Sequence, residues 1–224
     1  ASVSDVSQIA AEARPTVAHH FDDLEQQHEA NTLGMWVFLT TEVLFFGGTF
    51  LGYLVFRSLY THAFGEASRH LNVPLGTANT ALLLCSSLAM VLAVYFVRQD
   101  RKPTAVMLLL LTAALGTAFL GIKAVEWIVD WNEGLVPGLN WLVTGPNANQ
   151  EELFFVLYFT MTGLHAIHMI IGIGVVVLAA LWLLRKRHVA QMFTNIEMIG
   201  LYWHFVDIVW VFLFPLLYLI NLHG

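Results

Sequence analysis

The chain is 224 residues long, 58% apolar and only 12% charged, with a formal net charge of -6 and one cysteine. A soluble domain carries about 45–50% apolar and about 25% charged residues, so a water-soluble globule is excluded. The acidic balance gives no support for nucleic-acid binding, and a lone Cys85 leaves no disulfide or thiolate cluster within the chain.

Residues 1–30 are polar, carry Asp5, Glu12, Asp22, Asp23, Glu25 and Glu29, and lack the apolar stretch of a signal peptide. They are expected to form a cytoplasmic arm ordered by contact with a partner. Five apolar stretches follow, at about 33–59, 75–97, 104–131, 152–184 and 198–222. Each reaches or exceeds the ~20 residues that cross a ~30 Å hydrocarbon core as a helix. None alternates with period two, and all are far longer than a membrane strand of about 10 residues. No internal repeat is visible. The expected fold is all-α, a polytopic bundle of five transmembrane helices over residues 31–224. Pro103 suits the start of the third helix, and Cys85, inside the second, is expected to be a small buried apolar residue.

The basic residues set an orientation. Arg98, Arg101 and Lys102 lie between the second and third spans, and Arg185, Lys186 and Arg187 between the fourth and fifth. With Arg14 of the arm they put seven cations on one side, against Arg57 and Arg69 on the other. The N-terminus is therefore expected in the cytoplasm and the C-terminus outside. The same two turns are candidates for anionic lipid headgroups, at about 1 kcal/mol per cation near the surface.

Ionisable groups inside hydrocarbon are costly and face protein or water. This chain places Glu42 in the first span, Lys123 and Glu126 in the third, His165 and His168 in the fourth, and His204 and Asp207 in the fifth. Several are three apart and share a helix face. Glu42 lies about nine residues, or roughly 14 Å, from the cytoplasmic end. Asp207 comes out at a similar depth and His204 about a turn closer to that end. One inner cluster joining Glu42 to His204 and Asp207 is expected, while Lys123 and Glu126 pair with each other or with the fourth span. Glu42 is a candidate proton-active carboxylate or a hydrogen-bonded structural acid. The histidines are helix–helix hydrogen-bonding groups or, for His168 and His204, a bis-histidine haem pair. No HExxH motif supports zinc hydrolysis. Gly48 and Gly52 are spaced for close helix packing, as are Gly172 and Gly174. Trp36, Tyr60, Trp127, Trp131, Trp141 and Tyr218 read as an interfacial belt.

Five segments, in order, resemble subunit III of haem-copper terminal oxidases. The strongest is Tyr202-Trp-His-Phe-Val-Asp-Ile-Val-Trp210, similar to that family's last-helix signature. The first span reads Leu33-Gly-Met-Trp-Val-Phe-Leu-Thr-Thr-Glu-Val-Leu-Phe-Phe46. The second opens Leu75-Gly-Thr-Ala-Asn79-Thr80 and continues to Ser86 and Ser87. The third contains Phe119-Leu-Gly-Ile-Lys-Ala-Val-Glu126-Trp127, where the family often has Gln for Lys123 and Tyr for Trp127. The fourth contains Thr162-Gly163-Leu-His165-Ala-Ile-His168.

The resemblance implies a non-catalytic core subunit of a proton-pumping complex that reduces dioxygen to water in aerobic respiration, in a bacterial inner membrane. It implies no catalytic or metal-ligating residue in this chain. Haems and copper would sit in partner subunits, with subunit I the main contact and subunit II and small subunits nearby. It also implies bound phospholipids and support of proton uptake, with Glu42 at the family's intramembrane carboxylate. His204 and Asp207 fall in the signature and would hold the fold, and Lys123 could neutralise Glu126. Longer members have seven helices and a lipid-filled cleft between the first two and the rest. This chain resembles the five-helix form, in which a partner would have to supply the missing pair. The electron donor stays open between cytochrome c and a quinol, and a nitric-oxide-reductase-associated homologue has the same helix pattern. A stand-alone proton channel or transporter, motivated by Glu42 and Asp207, is the alternative from another class.

Overall fold

The computed structural model describes residues 24–219. Among these residues, five helices are long and apolar enough to cross a membrane. In chain order the elements are α1 (Leu24–Leu59), α2 (Thr61–Ser68), α3 (Val73–Arg98), α4 (Lys102–Asn132), a hairpin of β1 (Leu135–Val136) and β2 (Asn140–Trp141), α5 (Ala148–Arg185), a single 3-10 turn (Ala190–Met192) and α6 (Phe193–Tyr218).

The helix bounds follow local chemistry. Asn72 caps α3, its Oδ1 accepting from the Leu75 N–H at 3.1 Å, and Pro74 occupies the first turn, where its missing N–H costs nothing. Lys102 does the converse job at a C-terminus. Its Nζ donates to the carbonyls of Leu184 (2.6 Å) and Lys186 (2.8 Å), which a helix end leaves without partners. Gly134 and Gly138 hold positive φ at the hairpin, a conformation that favours residues without a Cβ.

α3, α4, α5 and α6 enclose the core, and one side chain marks its centre. Trp203 of α6 lies against α4 at Gly116 and α5 at Gly172, where an added Cβ would stand 2.7 and 3.3 Å from its ring. Its Nε1 donates to Ser86 of α3 at 2.8 Å. A single indole thus fixes the spacing of four helices, and the two glycines are what let it lie flat.

α1 is different. Only 17% of its most apolar stretch is buried, against 33–44% in the other four spans. Phe46 and Tyr53 anchor it, the latter donating to the Leu216 carbonyl near the end of α6 at 2.6 Å. Its remaining faces display Leu33, Val37, Leu44, Leu51 and Leu59.

Several expectations are corrected. Residues 24–30, assigned to the polar arm, are helical and lengthen α1; the rest of the arm and residues 220–222 of the last span lie outside the described residues. The short α2, whose Phe64 sits edge-on to Phe154 of α5 at 5.4 Å, and the hairpin went unforeseen. Gly48, Gly52 and Gly174 meet no neighbour within 4 Å; of the glycines expected at close packing Gly172 is found there, joined by Gly76 and Gly116. Cys85 is exposed, since the buried face of α3 passes through Leu83, Ser86 and Met90. Tyr218 is not in the aromatic belt: its ring is buried.

Candidate functional site

Among the described residues, two ion-paired centres lie within the helix bundle. The first surrounds Lys123, which is 2% exposed. Its Nζ donates to Glu126 Oε2 (3.0 Å), Tyr158 Oη of α5 (2.8 Å) and Tyr218 Oη of α6 (2.7 Å). Tyr218 donates onward to Glu126 Oε1 at 2.7 Å, and Tyr158 to Asp130 Oδ2 at 3.2 Å. An ammonium has three N–H bonds, and here all three are used. Both oxygens of Glu126 accept, which suits a carboxylate. The Trp210 ring stands 5.6 Å from the same cation. Lys123 and Glu126 thus pair with each other, with the fourth span and also with the fifth. Asp130, Tyr158 and Tyr218 were missed. The sequence signal for Tyr158 was its place on the helix face of Thr162 and His165.

The second centre joins α1 to α5. Glu42 Oε2 lies 3.1 Å from His168 Nε2. The other ring nitrogen, Nδ1, lies 2.8 Å from the Leu164 carbonyl, and Tyr202 of α6 donates to the His168 carbonyl at 3.0 Å. Glu42 therefore pairs with His168, not with the expected His204 and Asp207. Those two turn to α3: His204 Nδ1 is 2.7 Å from Ser87 Oγ, and Asp207 is buried beside the same serine. Neither Asp207 oxygen makes a well-formed hydrogen bond among the described residues, nor does His165 or Asn79. His165 instead lies between the rings of Phe119 (5.5 Å) and Trp210 (5.2 Å). The bis-histidine pair is not formed, because both ring nitrogens of His168 are engaged elsewhere. Among the described residues, no three His, Cys, Asp or Glu side chains converge as a metal-binding group.

The basic turns meet at one end of the bundle. Asp100, at φ 55, accepts from the N–H groups of Val189 (2.6 Å) and Ala190 (3.1 Å) and faces His188 Nδ1 at 3.0 Å. The His188 hydrogen bond is the main reason its carboxyl is held below the usual carboxylate range, with the two backbone N–H groups adding to it. Of the headgroup candidates, Lys102 is occupied by the end of α5, while Arg98, Arg101 and Lys186 lie over Phe193, Phe96 and Trp182. Between α1 and α6 runs an apolar groove of about 460 Å³, lined by Trp36, Leu39 and Phe46 on one side and Phe205, Ile208 and Phe212 on the other.

The fold and its buried polar links define a polytopic helical membrane protein whose ionisable groups tie its own helices together. Comparison with known sequences gives the family. The chain matches cytochrome c oxidase subunit III over residues 7–221 and belongs to that family, the third subunits of haem-copper oxidases. It is 32% identical over 203 residues to a cytochrome c oxidase subunit 3 of Thermostichus vulcanus, covering 89% of this chain and 92% of the relative. It is 27% identical over 205 residues to a probable quinol oxidase subunit 3 of Staphylococcus haemolyticus, covering 90% and 94%. A probable quinol oxidase subunit 3 of Staphylococcus aureus is likewise 27% identical, over 201 residues.

Proposed function

We propose that this chain is the non-catalytic third subunit of a proton-pumping terminal oxidase, bracing the large redox subunit and holding lipid beside it. The family match over nearly the whole chain carries this reading. The geometry supports it. Lys123, Glu126, Glu42 and His168 are engaged with side chains of other helices or turns of the same chain, as suits a scaffold. The haems and copper belong to partner subunits on this reading. The groove between α1 and α6 supports the lipid reading, since its apolar lining and volume of about 460 Å³ suit an acyl chain. The basic end faces the cytoplasm of a bacterial inner membrane, and the donor is cytochrome c or a quinol.

The test is isolation of the tagged chain from its native membrane in mild detergent. A large haem-bearing subunit should accompany it, and phospholipid should remain after washing. A chain that purifies alone and conducts protons in liposomes would be a channel instead. In the intact complex, Glu42→Ala should leave initial oxygen reduction near normal while slowing proton uptake or shortening turnover lifetime. Loss of haem reduction would remove the scaffold assignment.

A further inference from the structure

The tautomer of His168 is set by its neighbours. Nδ1 faces a carbonyl oxygen at 2.8 Å, and a carbonyl has no proton to give, so Nδ1 carries the hydrogen. That leaves Nε2 for Glu42, 3.1 Å away. A bare carboxylate facing a bare ring nitrogen would set two lone pairs against each other. The contact closes only with a proton in it. Either Glu42 is an acid donating to a neutral ring, or the ring is an imidazolium donating to a carboxylate. Both forms contain the same atoms and the same single proton, and both are neutral as a pair, the low-cost charge state inside a membrane.

The pair is also reachable. Its side chains keep 16% (His168) and 19% (Glu42) exposure, against 2% and 4% for Lys123 and Glu126. A recess of about 450 Å³ opens at the basic end between α1, α5 and α6, with Asn31, Gly34, Asn195 and Trp182 among its walls. It ends at Phe38, one helical turn before Glu42, where the Phe38 ring lies 6.1 Å from that of Tyr202. The titratable groups facing the pair are Tyr202 from α6 and His165 from α5. None adds a fixed charge.

We infer that Glu42 and His168 form one proton-binding site, a carboxyl and an imidazole sharing a single proton, entered from the basic end through the recess below Phe38. This deepens the reading of Glu42 as a proton-active carboxylate but stands on the local geometry, apart from the subunit assignment. Proton exchange at the site needs no co-reactant: a proton enters from water at the recess, passes between Oε2 and Nε2, and leaves by the same route.

The experiment is infrared spectroscopy of the intact, purified complex in H₂O and D₂O, with Glu42→Gln and His168→Gln. Wild type should show a carboxylic C=O band or an imidazolium band that Glu42→Gln removes. His168→Gln should shift or remove that same feature. Should His168→Gln not assemble, isotope-labelled histidine compared between wild type and Glu42→Gln reads the same proton. Neither band in wild type, or bands that respond to one substitution and ignore the other, would overturn the shared proton. Gly34→Leu, which points into the open recess, should slow H/D exchange of the band about tenfold or more while leaving it present. An unchanged exchange rate would overturn the entry route. A complex that behaves as an oxidase but lacks the shared band fails this inference alone, whereas a chain without oxidase partners that keeps the band fails only the proposed function.

Discussion

The two polar centres sit in one bundle and are built on opposite plans. Around Lys123, one ammonium meets two phenols and a carboxylate, every N–H has an acceptor, and the residues are shut in. Around Glu42, an acid on a helix with little of its surface buried meets one imidazole, and both side chains stay partly open. In hydrocarbon a saturated polar centre works as a rivet, since breaking any bond strands a buried group. An accessible pair that shares one proton can exchange it with water while its proton count, and so the contact, is kept. Placement of polar residues along the sequence does not separate these plans; the partners do.

The sharpest way to break the comparison is Lys123→Met. It leaves Glu126 and Asp130 buried without their cation, and removing one partner from a buried ion pair costs about 3–5 kcal/mol. The subunit should accumulate poorly or unfold at much lower temperature in thermal melts of the detergent-solubilised complex. Lys123→Met combined with Glu126→Gln should recover part of the loss. If the single substitution is silent, the rivet does not exist.

Second in size is a glycine contrast. Gly116→Ala drives a methyl to within 2.7 Å of the Trp203 ring, which cannot retreat past Gly172 without losing its bond to Ser86. Overpacking of this kind costs about 1–3 kcal/mol. Gly48→Ala on α1 meets nothing within 4 Å and should leave the melting temperature of this subunit unchanged. Equal effects at both sites would show that a partner packs against α1 as tightly as Trp203 packs against α4.

Tyr53→Phe is a smaller change. It deletes the bond to the Leu216 carbonyl, worth about 0.5–1.5 kcal/mol, and leaves the ring in place. Hydrogen exchange should rise along α1 and stay level in α4. The smallest effect belongs to the Asp100 turn. Its carboxyl is held low in the folded chain, so its contribution is fully present above the ordinary value of about 3.9 and fades as pH falls through the folded value. Asp100→Asn should therefore lower the melting temperature by a few degrees at most at pH 7, and the gap to wild type should close below about pH 4.

Most of the architecture was readable from the chain because hydrocarbon imposes a length that few sequences meet by accident. Glu42, Lys123, Glu126, His165, His168, His204 and Asp207 all stood out for being ionisable in apolar runs. Their partners were harder to read. Depth counted along helices put Glu42 level with Asp207, yet depth says nothing of the rotation about a helix axis or of which helices are neighbours. The rotation sends His204 toward Ser87 on α3 and leaves His168 facing α1. Tyr218 looked like an interfacial aromatic because it lies near a helix end, but a hydroxyl finding a buried ammonium outweighs the pull of the headgroup layer. Gly48 and Gly52 had the spacing of a packing motif without a helix among the described residues to pack on. Residue spacing records what a surface can accept, and only the tertiary arrangement records what it receives.

The Glu42–His168 contact spans 126 residues, and the Tyr53–Leu216 contact 163. The ribosome therefore delivers α1 to the bilayer long before either of its anchors has been made. For that interval the carboxyl of Glu42 has no imidazole to meet, and a lone anion at that depth is the most expensive state open to it. The nascent helix crosses at lower cost as the neutral acid, so the pair can close with a proton already in place.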